Sequence, residues 1–157
     1  MAKIKKTQYL DFTHARSKDQ IELMEKIVKD GVCPFCSEHF KKYHPRPILK
    51  ETKWWIVSEN MHPYEGARVH LLFVYKEHVS TVSEMKPEAG KELIELVSWA
   101  IQKYKIAGGA FFMRFGDTRY TGSSVNHLHA QLLTGNAKSD DDNIDKLKVK
   151  LGYKKAG

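Results

Sequence analysis

The most informative segment of the chain is Gly122-Ser123-Ser124-Val125-Asn126-His127-Leu128-His129-Ala130-Gln131-Leu132-Leu133. Polar side chains alternate here with small or apolar ones, and side chains two residues apart leave a strand on the same face. We therefore expect a polar row on one face and a core-facing row on the other. The polar row is His127, His129 and Gln131, and the core row is Leu128, Ala130 and Leu132.

Such a polar row can bind a metal, hold a phosphate or supply a nucleophile, but alternation is also common in half-exposed strands whose histidines are merely solvated. The Gly122-Ser123-Ser124 turn favours the functional interpretation, because its backbone N–H groups and two hydroxyls can bind an anion. Small polar turns also connect ordinary strands, so the turn is supporting evidence only.

Composition predicts one domain spanning residues 1–157. The chain is 41% hydrophobic and 29% charged, as in a globular protein. No run approaches the ~20 apolar residues of a membrane span, and residues 1–6 lack the apolar core of a signal peptide. We therefore predict a cytoplasmic protein without a membrane partner.

The formal charge of +7 is compatible with nucleic acid, a membrane surface or small polyanions as partners. The lysines are scattered and lack the aromatic interleaving of single-strand binders, so nucleic acid is not the expected partner. Attraction of anionic substrates is the more modest inference.

Both cysteines lie in Cys33-Pro34-Phe35-Cys36. A structural disulfide is not expected in a reducing compartment, which leaves a redox pair or half of a zinc site. A redox pair is expected at a helix N-terminus after a strand, whereas here a helical stretch precedes the motif. This order favours zinc, provided that two more ligands exist.

Hydrophobic periodicity and turn residues predict the order helix, strand, strand, helix, strand, strand, helix. The predicted helices are 17–29, 87–104 and a short one after Asp140-Asp141-Asp142, and the predicted strands are 54–58, 69–75, 110–115 and 126–134. The acidic triplet is interpreted as a capped helix start, not a metal site. This order predicts an α+β fold with a mainly antiparallel sheet, one long crossover helix and flanking helices.

Taken together, these motifs resemble the histidine triad (HIT) superfamily. The resemblance rests on His-x-His-x-Gln after the Gly-Ser-Ser turn, on the strand Leu72-Phe73-Val74-Tyr75-Lys76-Glu77-His78-Val79, and on the long helix between them. It covers roughly residues 33–134, the predicted core, and leaves an N-terminal helical extension and the short C-terminal helix outside. The resemblance implies a HIT-like fold, a nucleotide substrate and a homodimer.

Most histidine triad hydrolases have a third histidine where this chain has Gln131. Glutamine at this position resembles the branch of galactose-1-phosphate uridylyltransferases and dinucleotide-polyphosphate phosphorylases, which pass a nucleoside monophosphate through the middle histidine to an acceptor other than water. The resemblance therefore favours transfer or phosphorolysis, with a hydrolase and a non-catalytic nucleotide-binding protein as alternatives.

Elementary chemistry points the same way. Neutral imidazole is nucleophilic near pH 7, so His129 can attack an α-phosphorus and form a nucleotidyl-histidine intermediate. Gln131 is expected to stabilise the developing charge. The predicted substrate-binding residues are Ser123, Ser124 and Asn126 beside the triad, together with Asn60, which the resemblance places where the family binds nucleotide.

The resemblance also implies the missing metal ligands. In zinc-bearing members the cysteine pair is completed by two histidines, which correspond here to His78 and His127. Two thiolates and two imidazoles would form a closed structural zinc site. A competing local set consists of Cys33, Cys36, His39 and His44.

Overall fold

A computed structural model describes residues 6–140 and 143–157. Its centre is a five-stranded sheet in which every pair of neighbouring strands is antiparallel, in the order β1-β2-β3-β5-β4. The strands are β1 (Ile48–Glu51), β2 (Trp55–Glu59), β3 (Val69–Tyr75), β4 (Ala110–Arg114) and β5 (His129–Thr134). The predicted α+β class with an antiparallel sheet is confirmed.

The helices are α1 (Lys18–Asp30), α2 (Ser37–Tyr43), α3 (Pro87–Lys103) and α4 (Thr118–Thr121), with short 3-10 helices at Phe12–His14 and Val82–Glu84. Helix α1 begins and ends where its capping residues predict. The Ser17 hydroxyl accepts a hydrogen bond from the Gln20 backbone N–H, and Gly31 takes a left-handed conformation with φ of 67°.

Helix α3 is the predicted long crossover, and it connects β3 to β4 across one face of the sheet. Pro87 occupies its first turn, where the missing N–H costs nothing. Its buried stripe packs against alternate residues of β2, β3 and β5. The members of this stripe are Ala89, Leu93, Leu96 and Ala100, and the residues packed with them include Val57 of β2, Phe73 of β3, Ala130 of β5 and Leu128 just before β5. The predicted core row of the opening segment therefore lies beneath α3.

The opposite face of the sheet carries the polar row. Helix α2 covers part of this face, because Phe40 is fully buried against Ile56, Leu72 and Val74. Beside it, α1 forms a separate small core in which Met24 and Ile27 pack with Leu10 and Tyr43.

Several elements differ from the sequence predictions. Residues 40–47, whose basic, aromatic and proline-bearing composition is typical of a connector, contribute the second half of α2, and β1 and α4 were not predicted. Strand β5 begins at His129, not at residue 126. The predicted short C-terminal helix is not formed: residues 143–157 contain no helix, since a short helix is only marginally stable by itself and the Lys150 carbonyl is hydrogen-bonded to Arg114 instead. Asp141 and Asp142 lie outside the described residues.

Among residues 6–140 and 143–157, no helix combines the length and the apolar character that crossing a membrane requires.

Candidate functional site

Four potential metal ligands converge where the loop after α1 meets the ends of two strands. Cys33 and Cys36 come from that loop, His78 follows β3, and His127 precedes β5, and their ligand atoms all lie within 4.8 Å of one another. Nδ1 of His127 is 3.4 Å from Sγ of Cys33, 3.9 Å from Sγ of Cys36 and 3.2 Å from Nδ1 of His78. The fold thus assembles a Cys2His2 cluster from segments about 40 to 90 residues apart.

The dimensions of this cluster fit a tetrahedral zinc ion. Zinc bonds of about 2.3 Å to sulfur and about 2.0–2.1 Å to nitrogen give a tetrahedron with edges of about 3.3–3.8 Å. The Nε2–H of His127 donates to the Tyr75 carbonyl at 2.6 Å, which leaves Nδ1 unprotonated and facing the other ligands. The donor set and the ring orientation therefore both suit a metal.

The cluster also contains a pair of thiols that a cation would stabilise as thiolates. Burial raises the pKa of Cys33, and burial followed by the charge of Cys33 raises the pKa of Cys36 to about 12. Such thiols are protonated near neutral pH in the absence of a metal, so metal binding would release their protons.

The competing ligand set is not assembled. The His39 side chain pairs with Glu38 at 3.1 Å. His44 stacks on Phe40, and its Nε2 lies 2.8 Å from the Ser58 hydroxyl. Neither histidine belongs to the Cys2His2 cluster.

His129 is the next residue along the polar row, and its ring is held by its own chain. Its Nδ1–H donates to the backbone carbonyl of His127 at 2.6 Å, while Nε2 makes no hydrogen bond to any residue of the described chain. The ring lines a large cavity, and Phe35 contacts it edge-on with a centroid distance of 5.2 Å. Burial, and secondarily the positive charge of Arg114, lowers the pKa of His129 to about 4. The imidazole is therefore neutral near pH 7, with one nitrogen available as a nucleophile.

Gln131 is oriented by a histidine of the neighbouring strand. The His70 Nδ1 accepts the Tyr64 backbone N–H at 3.2 Å, so its Nε2 is protonated and donates to Gln131 Oε1 at 2.6 Å. Because the carbonyl end of the amide is bound in this way, its NH2 end is the one left for the cavity. This contact follows from the strand register, in which Leu72 lies opposite Gln131 and His70 is two residues away on the same face.

The cavity beside these residues has a volume of about 2060 Å³. A small-molecule site commonly measures about 300–1,000 Å³, so there is room for more than a mononucleotide. Its walls are the N-terminal extension, the loop 60–66, the turn 122–125 and the C-terminal tail 143–154.

Similar solved structures share this arrangement of strands and helices. A histidine triad nucleotide-binding protein from Candida albicans is 18% identical over 72% of this chain and 87% of its own, with a TM-score of 0.55. A hypothetical histidine triad nucleotide-binding protein from Sulfolobus tokodaii is 20% identical over 78% and 82%, with a TM-score of 0.54. A zinc-bound histidine triad family protein from Mycobacterium smegmatis is 20% identical over 76% and 81%, with a TM-score of 0.52. The chain has the histidine triad fold.

No protein-family model and no curated protein sequence matches the chain. The likeness to known proteins is therefore a likeness of fold.

Within this histidine triad fold, most of the predicted catalytic and substrate-binding residues lie around one cavity. Asn60, Ser123, Ser124, His129 and Gln131 all line the cavity. Asn60 also shapes its own turn, since Oδ1 accepts the His62 backbone N–H at 2.8 Å. The Ser123 hydroxyl donates to the Val125 carbonyl at 2.8 Å.

Asn126 is not brought to the cavity. Its Nδ2 donates to the Gln8 carbonyl at 3.2 Å, and its backbone N–H donates to the Tyr9 carbonyl at 2.7 Å. The Asn126 side chain, which was predicted to bind substrate, is thus hydrogen-bonded to the N-terminal extension instead.

Sequence reasoning missed two features of the site. His70 looks in sequence like an ordinary sheet histidine, although it lies an even number of residues before His78, a spacing that could have placed it on the site face. The tail 143–154 was predicted to be helical and gave no signal that it would line the cavity.

Proposed function

We propose that the chain is a nucleotide-binding enzyme that transfers a nucleoside monophosphate through a covalent intermediate on His129. The observation that carries this proposal is the state of the His129 ring. Nδ1–H is bound to the His127 carbonyl, and Nε2 lies free of hydrogen bonds to the described residues in a ring that lines the cavity. A neutral imidazole held in one tautomer is a nucleophile that needs no separate base.

In the first step, the lone pair of His129 Nε2 forms a bond to the α-phosphorus. The bond between this phosphorus and the bridging oxygen breaks, and the leaving group keeps the electron pair on that oxygen. The positive charge that develops on the ring is stabilised through Nδ1–H by the His127 carbonyl. In the second step an acceptor oxygen attacks phosphorus, and the electron pair of the P–N bond returns to Nε2.

Negative charge builds on the non-bridging oxygens in both steps, and donors fixed in advance stabilise it best. The Gln131 NH2 group suits this role because His70 holds the other end of the amide. The Ser124 hydroxyl accepts a hydrogen bond from Gln20 at 3.1 Å and keeps its own proton to donate. Asn60 and Ser123 complete the proposed substrate-binding wall.

Transfer or phosphorolysis is favoured over hydrolysis by Gln131. An amide cannot protonate a leaving oxygen, so the reaction suits leaving groups that need no acid, such as phosphates. Resemblance to the uridylyltransferase and phosphorylase branch supports the same choice.

We propose zinc as the resident metal, held by Cys33, Cys36, His78 and His127. When bound, the ion would supply a structural cross-link without an open coordination position. It would fix His127, whose backbone carbonyl in turn orients the His129 ring. The zinc-bound Mycobacterium smegmatis protein and the nucleotide-binding Candida albicans protein support the metal and the ligand class, respectively.

The test is to incubate the protein with diadenosine tetraphosphate, with and without inorganic phosphate, and to analyse intact mass after rapid acid-free quenching. The wild type is expected to gain one adenylyl group, and His129→Ala is expected to gain none. His39→Ala is the matched control, because His39 lies outside the cavity and outside the metal cluster.

Phosphate dependence separates the remaining alternatives. Turnover that requires phosphate indicates a phosphorylase, and turnover that ignores phosphate indicates a hydrolase. Saturable nucleotide binding without either an adduct or turnover would overturn the enzymatic proposal in favour of a binding protein.

We also propose a homodimer formed at the β4 edge of the sheet. Strand β4 ends the sheet, and its exposed residues include Phe111, which is 36% exposed. A free edge with apolar side chains can pair with a second copy. Sedimentation velocity is expected to give twice the mass of one chain, and a Phe111→Lys variant is expected to shift the protein towards monomer.

A further inference from the structure

The turn at residues 122–126 is held by the N-terminal extension, the segment that the family resemblance leaves outside the core. The backbone N–H of Asp11 donates to the Ser124 carbonyl at 2.9 Å. Next to this contact, Leu10 forms an isolated antiparallel bridge with Val125. The extension thus fixes the backbone of the turn, and one of its side chains also reaches a hydroxyl group there.

That side chain is Gln20, in the first turn of α1, and its two contacts determine how its amide is oriented. One end of the amide lies 2.8 Å from the backbone nitrogen of Arg16, and the other lies 3.1 Å from Oγ of Ser124. A backbone N–H can only donate, so the end that faces Arg16 is Oε1. The NH2 end therefore faces Ser124 and donates to its hydroxyl oxygen.

This contact determines what the Ser124 hydroxyl can do. A lone pair of its oxygen is occupied by Gln20, and its proton finds no acceptor among residues 6–140 and 143–157. Ser124 lines the cavity together with His129 and Gln131, so this proton is available to an oxygen atom of a bound ligand. Without Gln20, the hydroxyl would divide its time among about three staggered orientations.

Resting on the proposed function, we propose that Gln20 is a positioning residue that acts through Ser124 and sets the polarity of its hydroxyl group. The hydrogen bond from Gln20 leaves the Ser124 O–H as a donor to a non-bridging phosphate oxygen, on which negative charge builds during transfer. The N-terminal extension is then a functional part of the site, although it lies outside the segment that resembles the family.

A single isosteric substitution reverses the polarity of this contact. Gln20→Glu keeps an acceptor for the Arg16 N–H, but its second oxygen also accepts, so the Ser124 hydroxyl donates to the carboxylate instead of to the substrate. Glutamate is favourable in the first turn of a helix and in a capping box, so α1 is expected to stay folded. Gln20→Leu removes the contact and leaves the hydroxyl free to rotate.

The full chain is assayed with diadenosine tetraphosphate at neutral pH. Gln20→Glu is expected to slow adenylyl transfer on the order of 30-fold, because a hydrogen bond to a charged oxygen is lost. Gln20→Leu is expected to slow it by at most about threefold, since one of about three rotor positions remains productive. Gln102→Glu is the matched control, because it adds the same charge at an exposed position of α3 that does not line the cavity.

A purely structural role for Gln20 predicts the opposite order of the two variants. Gln20→Leu would then be the more damaging change, because it removes the contact between α1 and the turn, whereas Gln20→Glu preserves the shape of the side chain. Urea unfolding of both variants checks the fold. A larger loss of activity in Gln20→Leu than in Gln20→Glu would overturn the inference.

Ser124→Ala separates an effect of hydroxyl polarity from a direct effect of the added charge. In this background Gln20→Glu is expected to cost no further activity, because no hydroxyl is left to reorient. A loss on the order of 30-fold that persists in Ser124→Ala would mean that the carboxylate repels the substrate directly, and the inference would be wrong.

Calorimetric titration with adenosine monophosphate provides the same comparison without turnover. Gln20→Glu is expected to weaken binding, and this weakening is expected to disappear in Ser124→Ala. If this pattern holds but no adduct forms on His129, the proposed function fails and the role of Gln20 stands. If the adduct forms and Gln20→Glu binds and reacts like the wild type, the inference fails alone.

Discussion

His127 and His129 are joined by a hydrogen bond that connects the metal cluster to the candidate nucleophile. The His127 ring belongs to the Cys2His2 cluster, and its backbone carbonyl accepts the Nδ1–H of His129 at 2.6 Å. The C-x-x-C loop adds a second connection, because Phe35 contacts both rings. A metal held at this cluster therefore restrains the residue that carries the proposed chemistry.

The first prediction concerns the identity of the metal ligands. His78→Ala is expected to lose zinc and to lower the free energy of unfolding by several kcal/mol, because a structural metal contributes its binding energy to folding. The measurements are zinc per chain by atomic absorption and urea unfolding. His39→Ala is the matched control and is expected to keep both values, since His39 is outside the cluster. Zinc loss in His39→Ala with retention in His78→Ala would instead support the competing local set.

The second prediction concerns coupling between the metal and His129. Chelation at a temperature where far-UV circular dichroism stays native is expected to slow adenylylation on the order of 100-fold, because displacement of a reacting group by about 1 Å costs that much. Restored zinc is expected to restore the rate. Full activity in a metal-free, folded protein would show that the His127 carbonyl orients His129 without help from the metal.

The third prediction concerns Gln131. Gln131→His places a group that can carry a proton at this position, so hydrolysis is expected to rise at least about 10-fold relative to phosphorolysis. The measurement is the ratio of nucleoside monophosphate to diphosphate among the products. Gln131→Asn is the control, because it keeps an amide but is too short to preserve the contact with His70. Unchanged or lower hydrolysis in Gln131→His, with zinc and fold intact, would mean that Gln131 does not determine the acceptor.

The fourth prediction concerns pH and His70. Burial, followed by the charges of Arg16 and Arg114, lowers the pKa of His70 to about 4, against about 6.5 in an unfolded chain. The folded state therefore favours the neutral ring. The resulting stability is fully present above pH 6.5 and is lost as the pH falls towards 4.

Comparison of the wild type with His70→Gln isolates this contribution, because effects of zinc and of other histidines cancel. The difference in unfolding free energy is expected to shrink by about 2 kcal/mol between pH 6.5 and pH 5. A difference that stays constant over this range would contradict the depressed pKa.

Predictions from sequence succeeded where the signal is local. The start and end of α1 follow from Ser17 and Gly31, whose capping roles depend only on neighbouring backbone groups. The core-facing row that continues into β5 follows from the alternation of apolar and polar residues with a period of two. In contrast, α2 was not predicted, because it is short and has no strong local signal. Its position is set by burial of Phe40 against Ile56 of β2 and Leu72 of β3.

In the C-terminal tail the error runs the other way, because a helix was predicted there and none is formed. Its apolar spacing predicts a helix, but residues 143–157 contain no helix, and residues 143–154 line the cavity. Leu147 packs beside Gly135, and the Lys150 carbonyl accepts a hydrogen bond from Arg114. A short helix is only marginally stable by itself, so such contacts outweigh its propensity.

By itself, the amino-acid sequence determined the alternation that separates the core-facing row from the polar row along residues 127–132, the α+β class with its long crossover helix, and the types of residue available for metal and phosphate chemistry. These follow from periodicity and side-chain chemistry, which act over a few residues. Tertiary structure alone decided that His70 orients Gln131, that Arg114 lies opposite His129, and that the tail lines the cavity. Each of these contacts depends on strand register or on packing between distant segments, and no local pattern in the chain specifies either one.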